Sequence, residues 1–167
     1  MHFHIKETPE LLTPALQSEL ALKVLGKILK DIYGISELPG IIRLETGKPV
    51  FRMGCSLHFS ISHCQSAVMV AVDEKPIGCD IEDIPERIEP GLPEVAFSEK
   101  ERLQIIESKN PRKTLAKLWT MKEAQVKRLG RIPDDPGDWP SECIKGGKLI
   151  VECPNEKPYV YSISIES

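Results

Sequence analysis

Asp80 and Glu82 stand two residues apart in Gly78-Cys79-Asp80-Ile81-Glu82, a stretch that reads as a strand. Side chains at i and i+2 of a strand leave the same face. Glu123 stands four residues before Lys127 in Trp119-Thr120-Met121-Lys122-Glu123-Ala124-Gln125-Val126-Lys127, a helical stretch, so that pair also shares a face. Two carboxylates on one face and a third beside a lysine suit a hard divalent cation holding a diphosphate. Magnesium takes one or two protein carboxylates and fills its remaining positions with water and phosphate oxygen. Each signal alone has a plainer meaning. Asp-x-Glu is most simply a solvated strand end. A Glu–Lys pair at i,i+4 is most simply a surface pair of about 0.3–0.5 kcal/mol. Trp119, one turn before Glu123, favours a partly covered helix face.

Other candidates are His63 and Ser62, at the exit of the alternating Phe59-Ser60-Ile61-Ser62-His63, and Lys48 in the turn Gly47-Lys48-Pro49. A serine–histidine pair can bind phosphate through hydroxyl, amide and ring donors. A turn lysine can hold an ammonium near phosphate. Lys109, Lys113 and Lys117 recur every four residues and read as a solvated helix face.

The elements that must position these groups follow from periodicity and caps. Residues 2–7 form a short strand. Thr13-Pro14 opens a helix whose apolar face carries Leu16, Leu20, Val24, Ile28 and Ile32, and Gly34 closes it. Ile41 to Leu44 is a strand before a turn at 45–49. Strands at Leu57–Ser62, Ser66–Asp73 and Ile77–Glu82 follow, joined so tightly that an antiparallel meander is expected. After a proline-rich connector at 85–93, Ser98-Glu99-Lys100-Glu101 signals a capping box. Asn110-Pro111 starts the next helix, which stops at Gly130. Residues 131–146 read as a loop, and 148–153 with 159–165 as a terminal hairpin. The class is α+β, with helices packed on antiparallel sheet.

At 167 residues the chain suits one compact domain or two closely packed lobes. A net charge of −3 argues against a general nucleic-acid binder. No apolar run reaches membrane-spanning length, and the polar, alternating start does not read as a signal peptide. Five cysteines in no C-x-x-C pair suit free thiols, hence a cytoplasmic location, better than a disulfide framework or a zinc site.

Gly47-Lys48-Pro49, Phe59-Ser60-Ile61-Ser62-His63, Gly78-Cys79-Asp80-Ile81-Glu82, Phe97-Ser98 and Trp119 to Lys127, taken in that order, resemble the motifs of 4′-phosphopantetheinyl transferases. The similarity is to the larger, surfactin-synthetase-activating type, and it spans roughly residues 11 to 165. It implies a pseudo-dimer of two similar α+β lobes with antiparallel sheets. The boundary would fall between 1–73, binding coenzyme A, and 74–167, carrying the metal and catalytic carboxylates, with the active site between them. The implied reaction moves the 4′-phosphopantetheine arm of coenzyme A to a serine of an apo acyl or peptidyl carrier protein and releases adenosine 3′,5′-bisphosphate. The resemblance makes Asp80, Glu82 and Glu123 ligands of Mg²⁺. It makes Glu123 the base, directly or through a metal-bound water, and Lys127 the group that stabilises the leaving phosphate. Lys48, Ser62 and His63 would bind coenzyme A phosphates, with Lys23, Lys27 and Lys30 the nearest candidates for its 3′-phosphate. A monomer acting without nucleic acid or membrane is implied. The rival readings are a catalytically weak member that binds carrier protein, and another Mg²⁺-dependent nucleotide enzyme. The latter lacks any P-loop or G-x-G-x-x-G support.

Overall fold

A computed structural model describes residues 1–8, 11–131, 139, 141–142 and 146–167. The elements run β1 (His2–Glu7), α1 (Pro14–Tyr33), β2 (Ile41–Arg43), β3 (Pro49–Phe51), β4 (His58–His63), β5 (Ala67–Asp73), β6 (Ile77–Asp83), α2 (Leu92–Ala96), α3 (Glu99–Ile106), α4 (Pro111–Leu129), β7 (Gly147–Glu152) and β8 (Tyr159–Glu166). Helix ends fall where the caps place them. The Thr13 side chain accepts the Leu16 amide. At α3 the box is complete: the Ser98 hydroxyl accepts the Glu101 amide and the Glu101 carboxylate accepts the Ser98 amide at 2.8 Å. Asn110 caps α4, and Gly130 ends it in the left-handed region at φ 65°. Two elements escaped the sequence pattern, the short β3 and α2. The second begins inside the proline-rich connector, with Leu92-Pro93 in its first turn, a helix-opening signal in its own right.

Two three-stranded sheets form, ordered β1-β5-β4 and β6-β8-β7, together with a small β2-β3 ribbon. All their strand pairs are antiparallel. This is the expected α+β class with two sheet lobes. The expected meander is corrected, however. β4 and β5 do form a hairpin, but β6 leaves it and pairs with β8, Asp80 opposite Ser162. Short turns could not reveal this, because a strand's partner is set by long-range packing. The Cys79 amide of β6 is satisfied by the Ser60 hydroxyl of β4 at 2.9 Å, so a side chain replaces the ladder at that seam.

β5 explains its own apolar run. Val68, Val70 and Val72 face the core under α1 with Leu25, Leu29 and Phe59. Ala67, Met69 and Ala71 face the second sheet with Ile77, Cys79, Ile81 and Ile163. Both faces are covered, so no alternation survives. Leu25 and Leu29 are fully buried, a contribution of about 1.5–3 kcal/mol each. On the second sheet's other face lies α4. That contact is partly polar: Thr120 and Ser162 hydroxyls meet at 2.8 Å, and Arg128 Nε donates to Ser164 Oγ at 2.9 Å. It is also close. A Cβ on Gly78 would stand 2.0 Å from the Ala124 carbonyl oxygen and 2.3 Å from the Arg128 amide, so β6 admits the helix only with glycine there. Among the described residues no helix is long and apolar enough to cross a membrane.

Candidate active site

Because Cys79 and Ile81 point into the seam between the sheets, Asp80 points the other way, toward α4. It is 1% exposed. Its Oδ1 accepts from Lys127 Nζ at 2.6 Å and from Ser62 Oγ at 2.7 Å, and Lys127 Nζ also reaches Ser62 Oγ at 3.0 Å. One lysine from α4, one serine from β4 and one aspartate from β6 therefore close a triangle across the seam. Asp80 Oδ2 is buried with no hydrogen-bond partner among the described residues. A buried carboxylate oxygen without a donor is costly and marks unused bonding capacity.

The triangle forms the floor of a cleft of about 610 Å³. Asp80, Glu82 and Glu123 all line it, with Ser62, His63 and Lys127. The carboxylates are too many for the one ammonium. Burial pushes Glu82 up to about 8, and the charges of Asp80, Glu123 and Asp83 push the same way while Lys127 opposes them. Glu123 is raised by burial, with Asp80 adding to the rise and Lys127 resisting it. Burial works to lower Lys127, but Asp80 and Glu123 outweigh it and hold the ammonium charged. Hard oxygen donors, one of them orphaned, with excess negative charge fit a divalent cation that brings phosphate with it. The fit concerns donor type and charge: among the described residues no three acidic, histidine or cysteine side chains are already clustered as a ligand set.

The remaining candidates separate. His63 is exposed at the rim of the same cleft. Lys48 does not line it; it lies in a neighbouring cavity of about 260 Å³ that shares Glu123 and Lys127. Its Nζ donates to the Arg128 carbonyl at 3.0 Å, close to the negative end of α4, and burial lowers its pKa. Lys23 and Lys27 are paired with Glu19 and Asp31 on the exposed face of α1, and neither lines the cleft, nor does Lys30. Trp119 lines the cleft, half-buried against Phe97 and Trp139, the partial cover its position suggested. Two residues were missed. Arg43 lines the cleft wall from β2, and its only sequence signal was proximity to the Gly47 turn. Lys122, inside the most specific motif, is fully buried and bound to Glu101 at 2.7 Å, away from the cleft. Among the described residues no cysteine lines the cleft, and burial holds Cys64 up at about 12 and Cys79 at about 11. Cys143 and most of the loop expected at 131–146 lie outside the described residues.

Known proteins share this arrangement of sequence. The family described as the 4′-phosphopantetheinyl transferase superfamily matches residues 76–147, from the start of β6 to the start of β7. The chain is 33% identical over 123 residues to 4′-phosphopantetheinyl transferase psf-1 of Bacillus pumilus, covering 72% of this chain and 52% of that protein. It is 38% identical over 110 residues to 4′-phosphopantetheinyl transferase AcpT of Salmonella typhi, covering 63% and 56%. It is 35% identical over 157 residues to YieE of Escherichia coli K12, a protein named as uncharacterized, covering 85% and 62%. The chain is thus similar to 4′-phosphopantetheinyl transferases over as much as 72% of its own length. It spans between half and two thirds of the length of these relatives. The superfamily match contains Asp80, Glu82, Glu123 and Lys127 but not Ser62, which the structure brings to them from the first sheet.

Proposed function

We propose that this protein transfers the 4′-phosphopantetheine arm of coenzyme A to a serine of an apo acyl or peptidyl carrier protein. The observation that carries this reading is the Asp80–Lys127–Ser62 triangle with Glu82 and Glu123 in the same cleft, in a chain similar to this superfamily. The serine oxygen forms a bond to the pantetheine-side phosphorus, and the bond to the bridging diphosphate oxygen breaks. Adenosine 3′,5′-bisphosphate leaves with that oxygen. Glu123, raised by burial toward the range useful to a base, takes the serine proton. Lys127 places its charge beside the departing phosphate, and Ser62 with His63 offers donors to the diphosphate. Asp80, Glu82 and Glu123 would hold Mg²⁺, which when bound neutralises diphosphate charge and polarises the phosphorus. On this reading residues 1–73 serve coenzyme binding and 74–167 hold the catalytic carboxylates, in a cytoplasmic monomer. Lys48 joins the coenzyme phosphates only by releasing the Arg128 carbonyl.

One observation favours the weaker reading, a carrier-binding module: the carboxylates are not gathered into a ligand cluster. Mass spectrometry separates the two. Incubation with coenzyme A, Mg²⁺ and several apo carrier proteins is expected to add one phosphopantetheine arm to a carrier. The gain should vanish with a chelator or in Asp80→Ala. Carrier binding without mass gain on any of them would establish the module instead.

A further inference from the structure

β4 and β6 are edge strands of their two sheets, and among the described residues no backbone ladder joins them. Three polar rungs span the seam instead. The Ser60 hydroxyl accepts the Cys79 amide at 2.9 Å, the Ser62 hydroxyl donates to Asp80 at 2.7 Å, and Asp83 Oδ2 accepts the Gln65 amide at 2.8 Å. These rungs fix which residues of the first sheet meet which of the second, and so bring Ser62 and His63 to the cleft that Asp80 and Glu82 line. The middle rung has other work. On the transferase reading Asp80 turns to a cation and Ser62 to the diphosphate. The outer two must then keep the register.

Asp83 continues the face of Cys79 and Ile81, opposite to Asp80 and Glu82, so it reaches the first sheet and does not line the cleft. Its target is the turn directly after His63, closed by the Cys64 amide on the Ala67 carbonyl at 2.9 Å. Two-residue hairpin turns favour positive φ, and neither Gln65 nor Ser66 takes one. The turn is therefore shaped from outside. Gln17 Nε2 donates to the Cys64 carbonyl at 2.8 Å, Thr8 Oγ1 to the Gln65 carbonyl at 2.7 Å, and the Thr8 amide to the Ser66 carbonyl at 2.8 Å. Those clasps come from the chain before and within α1. Asp83 ties the turn to the second sheet. Its Oδ1 is buried without a hydrogen-bond partner, so the carboxylate adds little net stability. What it supplies is placement. We infer that Asp83 is a positioning residue, which holds the 64–66 turn so that His63 faces the diphosphate. This rests on the transferase reading and gives a task to a carboxylate that is not offered to the cation.

Amide hydrogen exchange followed by NMR tests the tie without any ligand. The Gln65 amide is expected to exchange about ten- to a hundredfold more slowly in the wild type than in Asp83→Ala, the scale of one hydrogen bond to a charged group. Asp83→Asn keeps an acceptor and drops the charge, and should keep most of that protection. Isothermal titration with coenzyme A and Mg²⁺ then tests the task. Asp83→Ala should bind about tenfold more weakly with little change in melting temperature, and Asp83→Asn nearly as well as the wild type. Added to His63→Ala, Asp83→Ala should cost nothing further, because it acts through His63. A merely structural role would give additive losses that follow the melting temperature. An unprotected Gln65 amide in the wild type, additive losses, or an Asp83→Asn protein as weak as Asp83→Ala overturn the assignment. A wild type that modifies a carrier while Asp83→Ala binds coenzyme A undiminished leaves the transferase reading standing and removes Asp83 from it. A wild type that neither binds coenzyme A nor modifies a carrier removes both.

Discussion

Helix α4 holds two lysine–carboxylate pairs five residues apart, and they are opposites. Lys122 and Glu101 are closed off. The lysine is fully buried, donates to Glu101 at 2.7 Å and to the Ala96 carbonyl at 2.9 Å, and lies 5.0 Å from the centre of the Phe97 ring. Glu101 also takes the Ser98 amide and hydroxyl, and neither partner has an unpartnered polar atom. Lys127 and Asp80 make an equally short contact at 2.6 Å, yet Asp80 keeps an orphaned oxygen and the pair opens on a cleft. A satisfied buried pair ties α4 to the end of α2 and the start of α3 and can do nothing else. An unsatisfied one retains capacity to bind. Burial and charge alone do not distinguish structure from function here; the count of unused hydrogen-bonding positions does.

Breaking the closed pair should cost most. Lys122→Ala leaves Glu101 buried without its cation and is expected to lower stability by about 3–5 kcal/mol in urea unfolding. The double variant Glu101→Gln with Lys122→Met should recover most of that. The cleft on which the open pair lies should respond in activity instead. Glu123→Gln is expected to reduce kcat about a hundredfold to ten-thousandfold at a nearly unchanged melting temperature. Gly78→Ala addresses the contact that seats α4 beside β6. With backbone atoms at 2.0 and 2.3 Å from the new Cβ, a loss of roughly 1–3 kcal/mol or more is expected, with activity falling as Lys127 parts from Asp80.

The gentlest probe is pH. Burial works to raise Glu101, but the Lys122 ammonium and the Ser141 and Ser98 donors outweigh it, so its pKa lies below the ordinary 4.5. A depressed carboxylate stabilises the fold above its unfolded value and loses that contribution as pH falls through the folded one. The urea midpoint should therefore hold above about pH 5 and decline below 4.5, and the Glu101→Gln/Lys122→Met protein should show less of that decline. An identical acid limb in both proteins would show that other carboxylates dominate it.

What was legible in the sequence was local. Thr13, Ser98, Asn110 and Gly130 mark helix ends because capping is settled within four residues. The motif carboxylates could be found because their spacing fixes their faces. The departure of β6 from the hairpin could not, since it depends on β8 and on the fit of Gly78 against a helix some 45 residues later. Spacing put Lys127 on the face of Glu123 and left Lys122 unassigned; only tertiary packing shows that Lys122 is enclosed while Lys127 faces the cleft. Arg43 stayed hidden because its three-residue strand offers too little pattern to assign a face.

The order of strands in the second sheet also shapes how the protein must be made. β8 is its middle strand and, among the described residues, the sole ladder partner of both β6 and β7. About 75 residues separate the end of β6 from the start of β8. At roughly 5–20 residues per second, a ribosome leaves β6 waiting on the order of 4–15 s after it has been synthesised. During that interval Ile77, Cys79 and Ile81 can rest on the finished first sheet, but their backbone edge has no ladder strand to bind. The nascent chain thus passes through a stage with a ready core and an open edge, where a chaperone would be most useful and where an aggregating neighbour would do most harm.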